Sequence, residues 1–202
     1  MKKIMGVIVV CAVLFVAMTV SAETSGKEAV TLEIPAGLVQ NICTQPVWNG
    51  VTAVWSGVTD TRQDKVIGIQ TKKGKEAVEV FANPSLESVF DKALREVFTA
   101  CGMKIVNTPG GETLKLSAEI RQFYAGVEKK LVTGKAKCTS ALTFTVDKGA
   151  QSTKIDISND LESKEARKGD IKGLTKALND LLVETLKQIP STQQLREIGQ
   201  NP

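Results

Sequence analysis

The chain has 202 residues, 26 of them Lys or Arg and 22 Asp or Glu, and no histidine, which excludes Ser-His-Asp and Cys-His nucleophile arrays. Its formal charge of +4, or +2 once Lys2 and Lys3 are subtracted, gives no global case for nucleic acid or anionic lipid as a partner. With an aromatic content of only 4%, a core must be filled largely by Val, Leu, Ile and Ala.

Met1-Lys2-Lys3 is basic, Ile4 to Val20 is almost continuously apolar, and Val20-Ser21-Ala22 has the small-x-small pattern that precedes a cleavage point. Residues 1–22 therefore read as a secretory signal peptide removed after Ala22. The other reading is an uncleaved anchor, because the apolar run approaches bilayer-spanning length; only then would the membrane be a partner. Cys11 follows Val10, and the apolar run continues well past it, which argues against a lipid on Cys11. The periplasm is the expected location. The rest is long enough for one ordinary domain, placed at 28–190, with 191–202 as a short helical tail and a frayed end.

Thr24 to Lys27 reads as a loose leader. Val30, Leu32 and Ile34 alternate with Thr31 and Glu33 as a short half-buried strand ending at Pro35. Residues 36–50, with Gly37, Pro46, Asn49 and Gly50, read as a long loop over one end of the core. Val51 to Thr59 is rich in β-branched and aromatic residues and reads as a central strand. Lys65–Thr71 and Ala77–Phe81 follow as strands around a turn at Lys72-Lys73-Gly74-Lys75. Asn83 caps the clearest helix and Pro84 takes its first position. Leu86, Val89, Phe90, Ala93, Leu94, Val97, Phe98 and Cys101 recur on its apolar face, and Gly102 ends it.

Met103–Val106 is a short strand. Leu114 to Arg121 alternates cleanly, with Phe123 and Tyr124 expected at its rim. Ala136 to Val146 alternates too, and Lys154–Ser158 returns as its partner after a turn at Asp147-Lys148-Gly149. A second amphipathic helix runs from about Asp170 to Ile189 and stops at Pro190. Ser191 and Gln194 have capping-box spacing for a last short helix. The expected architecture is α+β: an antiparallel sheet, a meander, with two amphipathic helices packed on one face as a two-layer sandwich.

The segment Val58-Thr59-Asp60-Thr61-Arg62-Gln63-Asp64-Lys65-Val66-Ile67-Gly68 packs two acids and two bases between apolar runs. Asp60 with Asp64 is the best candidate carboxylate pair for acid–base work. Both lie where strand text stops, where Asp and Thr commonly bond their own backbone, and Arg62 and Lys65 stand close enough to hold their pKa low. The segment is therefore read as a turn or a partner-facing loop, with Asp60, Thr61 and Arg62 as binding candidates and Arg62→Glu as a surface change that spares folding. Trp55 is placed in the core and Trp48, in a loop, is the candidate exposed anchor. Lys129, Lys130 and Lys135, with Lys137 and the Lys72, Lys73 and Lys75 turn, are candidates to grip an anionic glycan or lipid headgroup, against a plain role in guarding turns and sheet edges.

An exported chain meets an oxidising compartment, so Cys43, Cys101 and Cys138 offer one disulfide and one thiol, or buried thiols. Cys101 and Cys138 both fall on apolar faces and are the expected core pair; the pairing itself stays open. Without histidine or a Cys-x-x-Cys motif, no metal site and no cofactor is expected.

The run AVWSGVTDTRQDKVIGIQ, a strand leading into Asp60-Thr61-Arg62 and then Ile67-Gly68, resembles the YajG-like family of uncharacterised bacterial envelope lipoproteins. The order of elements over most of residues 28–190 is similar as well. The resemblance implies an α+β fold and an envelope location and brings no established activity. Members carry a lipidated cysteine at the mature N-terminus, where this chain has Ala22-Glu23; Gln63 stands where proline is frequent, and residues 36–50 look like an insertion. The functional expectation is a non-enzymatic envelope protein acting by contact with envelope proteins, as an accessory or assembly factor. The alternative is a binding module for an anionic glycan or headgroup.

Overall fold

A computed structural model of the chain describes residues 26–71, 77–110, 113–127, 136–164 and 170–198. The strands are β1 (Gly26–Val30), β2 (Thr52–Asp60), β3 (Gly68–Thr71), β4 (Ala77–Ala82), β5 (Lys104–Val106), β6 (Leu114–Val127), β7 (Ala136–Lys148) and β8 (Gln151–Ser163). The helices are α1 (Leu38–Ile42), α2 (Leu86–Ala100), α3 (Ile171–Gln188) and α4 (Gln193–Glu197), with a 3₁₀ turn at Ile189–Ser191. All eight strands join one open sheet, so the α+β class holds.

The sheet is mixed, which corrects the expectation of an antiparallel meander. Short turns do make β6, β7 and β8 antiparallel, and β3 with β4. The pairs β1–β4, β2–β5, β2–β6 and β3–β6 are parallel. The reason is α2. It starts beside the end of β2, where Glu87 accepts from the Asp60 N–H at 2.7 Å, and finishes at the other end, where Lys104 N–H donates to the Val51 carbonyl at 2.9 Å. The chain is thus returned to the start of β2 and leaves again in the same direction, as a crossover must for parallel neighbours.

β6 is the axis of the sheet. One edge carries β7 from Lys115↔Asp147 to Val127↔Ala136. The other edge carries β2 beside the first half of β6, up to Asp60↔Ile120, and then β3 beside the second half, at Gly68↔Ala125. β2 and β3 therefore lie end to end along one edge, separated by residues 61–67.

Several boundaries differ from the sequence reading. The first strand is Gly26–Val30, not Val30–Ile34, because pairing with β4 ends where Asn83 N–H donates to the Val30 carbonyl. Leu32 is still buried, so the alternation reported burial rather than pairing. The 36–50 loop contains α1. Ser85, not Asn83, caps α2, accepting from Ser88 N–H at 3.3 Å. Asp170 caps α3 by accepting from Gly173 N–H at 2.7 Å, whereas Thr192 precedes α4 without a side-chain cap bond. Phe123 is fully buried inside β6 rather than at a rim.

α2 packs on β2 and β5, and α3 on β6, β7 and β8. Phe98 of α2 packs against three aromatic rings, with ring centroids 5.2 Å from Trp48, 5.5 Å from Trp55 and 6.0 Å from Phe144. Trp48 is 0% exposed and its indole N–H donates to the Leu195 carbonyl at 2.7 Å. This removes Trp48 as an exposed anchor: the loop around it is folded over the end of the core, and its one polar atom is spent inside.

Cys101 and Cys138 are both in the core, but Cys101 is disulfide-bonded to Cys43 across a separation of 58 residues, and Cys138 is free. Cys138 faces inward from β7, and burial, with a smaller push from the Asp180 charge, raises its thiol to about 11. A loop of that length contributes roughly 4 kcal/mol by the chain-entropy estimate. Iodoacetamide labelling of the purified protein is expected to leave Cys138 unmodified in the native state and to modify it after unfolding. Cys43 and Cys101 should label only after reduction, and peptide mass spectrometry reads each site; rapid native labelling of Cys138 would contradict the burial.

Candidate functional site

Thr61 continues the β2 ladder, its N–H and hydroxyl both donating to the Ile120 carbonyl at 3.0 and 3.1 Å. The ladder resumes where Ala125 N–H donates to the Ile67 carbonyl at 2.9 Å. Between those points the chain leaves the edge of β6, and the Phe123 carbonyl faces the gap. A buried carbonyl without a donor is costly. The Arg62 guanidinium supplies one at 3.0 Å, and the same Nη1 donates to the Val66 carbonyl at 3.2 Å.

Asp60 holds that guanidinium. Its Oδ1 accepts from Arg62 Nε at 2.9 Å and from the Arg62 backbone N–H at 3.1 Å; its Oδ2 accepts from Nη2 at 2.7 Å. The two side chains are only 6% and 8% exposed. Lys65 Nζ reaches the Asp60 carbonyl at 2.7 Å and its carboxylate at 3.4 Å. Burial pushes the Asp60 carboxyl up, but the hydrogen bonds from Arg62 and the charges of Arg62 and Lys65 together outweigh it and hold it below its ordinary 3.8.

Asp60 and Asp64 do not form a carboxylate pair across a cleft. Asp64 accepts from its own loop, from Val66 N–H at 2.9 Å, and does not line the hollow that Asp60 lines. That hollow, about 240 Å³, lies between the Asp60–Lys65 knot and the start of α2, with Phe81, Leu86 and Glu87 on its walls. It is smaller than ordinary small-molecule sites. Thr61, Gln63, Asp64 and Lys65 are exposed at the rim of the knot, while Val66 and Ile67 are buried.

Arg62 is therefore not a surface residue, and the expectation that Arg62→Glu spares folding is corrected. It would set two carboxylates together and leave the Phe123 carbonyl without its donor. Of the lysine candidates, Lys137 is exposed on β7 opposite Glu162; Lys72, Lys73, Lys75, Lys129, Lys130 and Lys135 lie outside the described residues.

A second concavity carried no clear signal in the sequence. A groove of about 480 Å³ runs between residues 32–40 and the outward side of α2. Leu32, Ile34, Val39 and Val89 supply apolar wall, with Lys92 and Glu96 at the rim. The Glu33 N–H, donating to Asn179 Oδ1 at 3.0 Å, ties the segment forming this wall to α3.

The family model described as "Uncharacterized lipoprotein" matches residues 44–198. No curated protein matches the chain. Among solved structures, the chain is similar to an uncharacterized protein, at 14% identity over 86% of this chain and 99% of that one, with a TM-score of 0.47. It is similar to a protein from Xanthomonas campestris at 12% identity over 87% of this chain and 98% of that one, TM-score 0.49. It is also similar to a hypothetical protein from Chlamydia trachomatis, at 9% identity over 67% and 95%, TM-score 0.35. At these identities and scores, the structures add nothing about chemistry.

Asp60→Asn tests the knot. A carboxyl whose folded pKa is depressed contributes stability above its unfolded value, and that stability is lost as pH falls through the folded pKa. The wild type should lose stability below about pH 4. The Asn variant should be less stable at neutral pH by about 3–5 kcal/mol, and its stability should depend less on pH in the acid range. Denaturant unfolding across pH measures both. Equal stability at neutral pH would mean that the pair is not holding the loop.

Proposed function

Because the chain belongs to a family of uncharacterised lipoproteins, we propose that it is an envelope-associated, non-enzymatic protein that works by contact with other envelope proteins, on the periplasmic side. Within that family we place it with the YajG-like proteins, on the Asp60-Thr61-Arg62 strand end. The matched residues do not include the N-terminal segment, and we take the mature chain to begin at Glu23 without a lipid on Cys11.

The observation that carries the contact reading is how the polar groups of the loop are used. Asp60 and Arg62 are spent on each other and on backbone carbonyls, and Asp64 on its own loop. What remains outward is a short rim, Gln63 to Lys65, held in one shape by a buried ion pair. A preorganised loop loses little conformational freedom on docking, which favours contact, whereas a carboxylate neutralised by two cations is poorly poised to move protons.

A photoreactive residue placed at Gln63 in the exported chain should give a discrete adduct with an envelope protein in intact cells, and one placed at Lys187 on α3 should not. No adduct at Gln63 from a folded, exported chain would overturn this reading of the loop. The intact mass of the exported protein is expected to correspond to residues 23–202; a mass increment of acyl chains would overturn the lipid-free start.

A further inference from the structure

β8 is the last strand of the sheet: β7 pairs with one side of it and, among the described residues, no strand pairs with the other. It runs for 13 residues with neither Pro nor Gly, and it pairs with β7 along its whole length without a register shift. β2 and β6, by contrast, each take part in a pairing that shifts. A long, regular edge is a template for another strand, and sheets commonly blunt such edges with Pro, bulges or short length. β8 uses none of these and carries instead the charged side chains Lys154, Asp156, Asp160 and Glu162.

Its two faces are sharply different. Ile155 and Ile157 are 2% and 4% exposed on the side where α3 packs. On the other side, Ser152, Lys154, Asp156, Ser158 and Asp160 are all exposed. The two-residue turn Gly149–Ala150 makes Lys148 and Gln151 a hydrogen-bonded pair. Alternate residues then turn their backbone polar groups outward, and the even-numbered ones, Ser158 among them, do so.

The strand is complementary to itself. Its midpoint is Ile157, so two copies overlapping antiparallel over all 13 residues place Ile157 against Ile157. In that register Lys154 stands opposite Asp160 of the second copy, twice by symmetry. Asp156 meets Ser158, and Glu162 meets Ser152, so no like charges oppose one another directly. Neighbouring registers are worse. Moving the twofold to Asp156 sets that carboxylate against itself, and moving it to Ser158 sets Asp156 against Asp160. The register with most backbone pairing is also the one that opposite charges favour.

We propose that a second copy of this chain docks on β8, antiparallel about a twofold axis at Ile157, so that the sheet continues across a dimer. The inference is independent of the contact reading of the Gln63–Lys65 loop, which lies on another part of the sheet.

Sedimentation equilibrium of the purified full chain at micromolar concentrations is expected to give the dimer mass. Lys154→Glu and Asp160→Lys should each weaken dimerisation about tenfold, since each places like charges opposite one another twice. The double variant should restore it. Ser158→Pro removes an outward N–H without touching the β7 ladder, and should give a monomer with an unchanged circular dichroism spectrum. A wild-type monomer, a folded double variant that stays as weak as the singles, or a folded Ser158→Pro dimer would overturn the proposal. Should the proline variant fail to fold, the charge exchange decides alone.

Discussion

Arg62 supplies to β6 the hydrogen bond that a strand would otherwise give it, and this lets β2 and β3 share one edge of β6 across the gap between them. β2 leaves the edge at Thr61 and β3 rejoins it at Ile67. The Phe123 carbonyl in between would be stranded without a guanidinium donor. Arginine suits the position because its fork can serve a carboxylate and two carbonyls at once. Taken alone, the ion pair adds little, since the desolvation of two buried charges roughly cancels their attraction. Its weight lies in what breaking it exposes, a buried unpaired charge together with an orphan carbonyl. The same knot reaches α2 through the Asp60 N–H and Glu87, so it also sets where the crossover begins.

The opposite end of β2 is closed by apolar and covalent means. Val47 and Trp48 N–H groups both donate to the Cys101 carbonyl, at 2.9 and 3.0 Å, and the disulfide joins Cys43 to the same residue. Gly102 turns the chain there with φ of +95°, and a Cβ at that position would lie 3.0 Å from Pro46 Cβ. A larger residue would be strained twice, by its backbone conformation and by the loop packed on it. The Trp48 indole, the Phe98 ring and the Leu195 carbonyl then seal that end. α2 is thereby anchored at its start by polar contacts and at its end by a disulfide and aromatic packing.

These two anchorages bear on function in the same way. Side chains that looked available in the sequence, namely Asp60, Arg62 and Trp48, are consumed in holding the fold. Among the described residues, the groups left outward include a rim of polar residues at the knot and the edge of β8. A disulfide at the centre of one anchorage is compatible with the oxidising compartment proposed for the chain.

The elements with a strong local period were legible from the residues alone. Leu86 to Cys101 and Ile171 to Ile189 bury the predicted faces, and the alternation in β6 and β7 places Leu116, Ile120, Leu142 and Phe144 inside. The binding of Asp60 by Arg62 was anticipated because the two residues are near in sequence. What local text did not contain was partnership at a distance. Parallel pairing of β2 with β6 depends on where α2 delivers the chain. The Cys43–Cys101 bond depends on the loop folding back across the end of α2. Burial of Trp48 depends on a carbonyl 147 residues away. Periodicity records which side of an element meets apolar surroundings, because each residue's transfer free energy is its own. Which element lies on the other side is a property of the closed chain, and only the tertiary structure decided it.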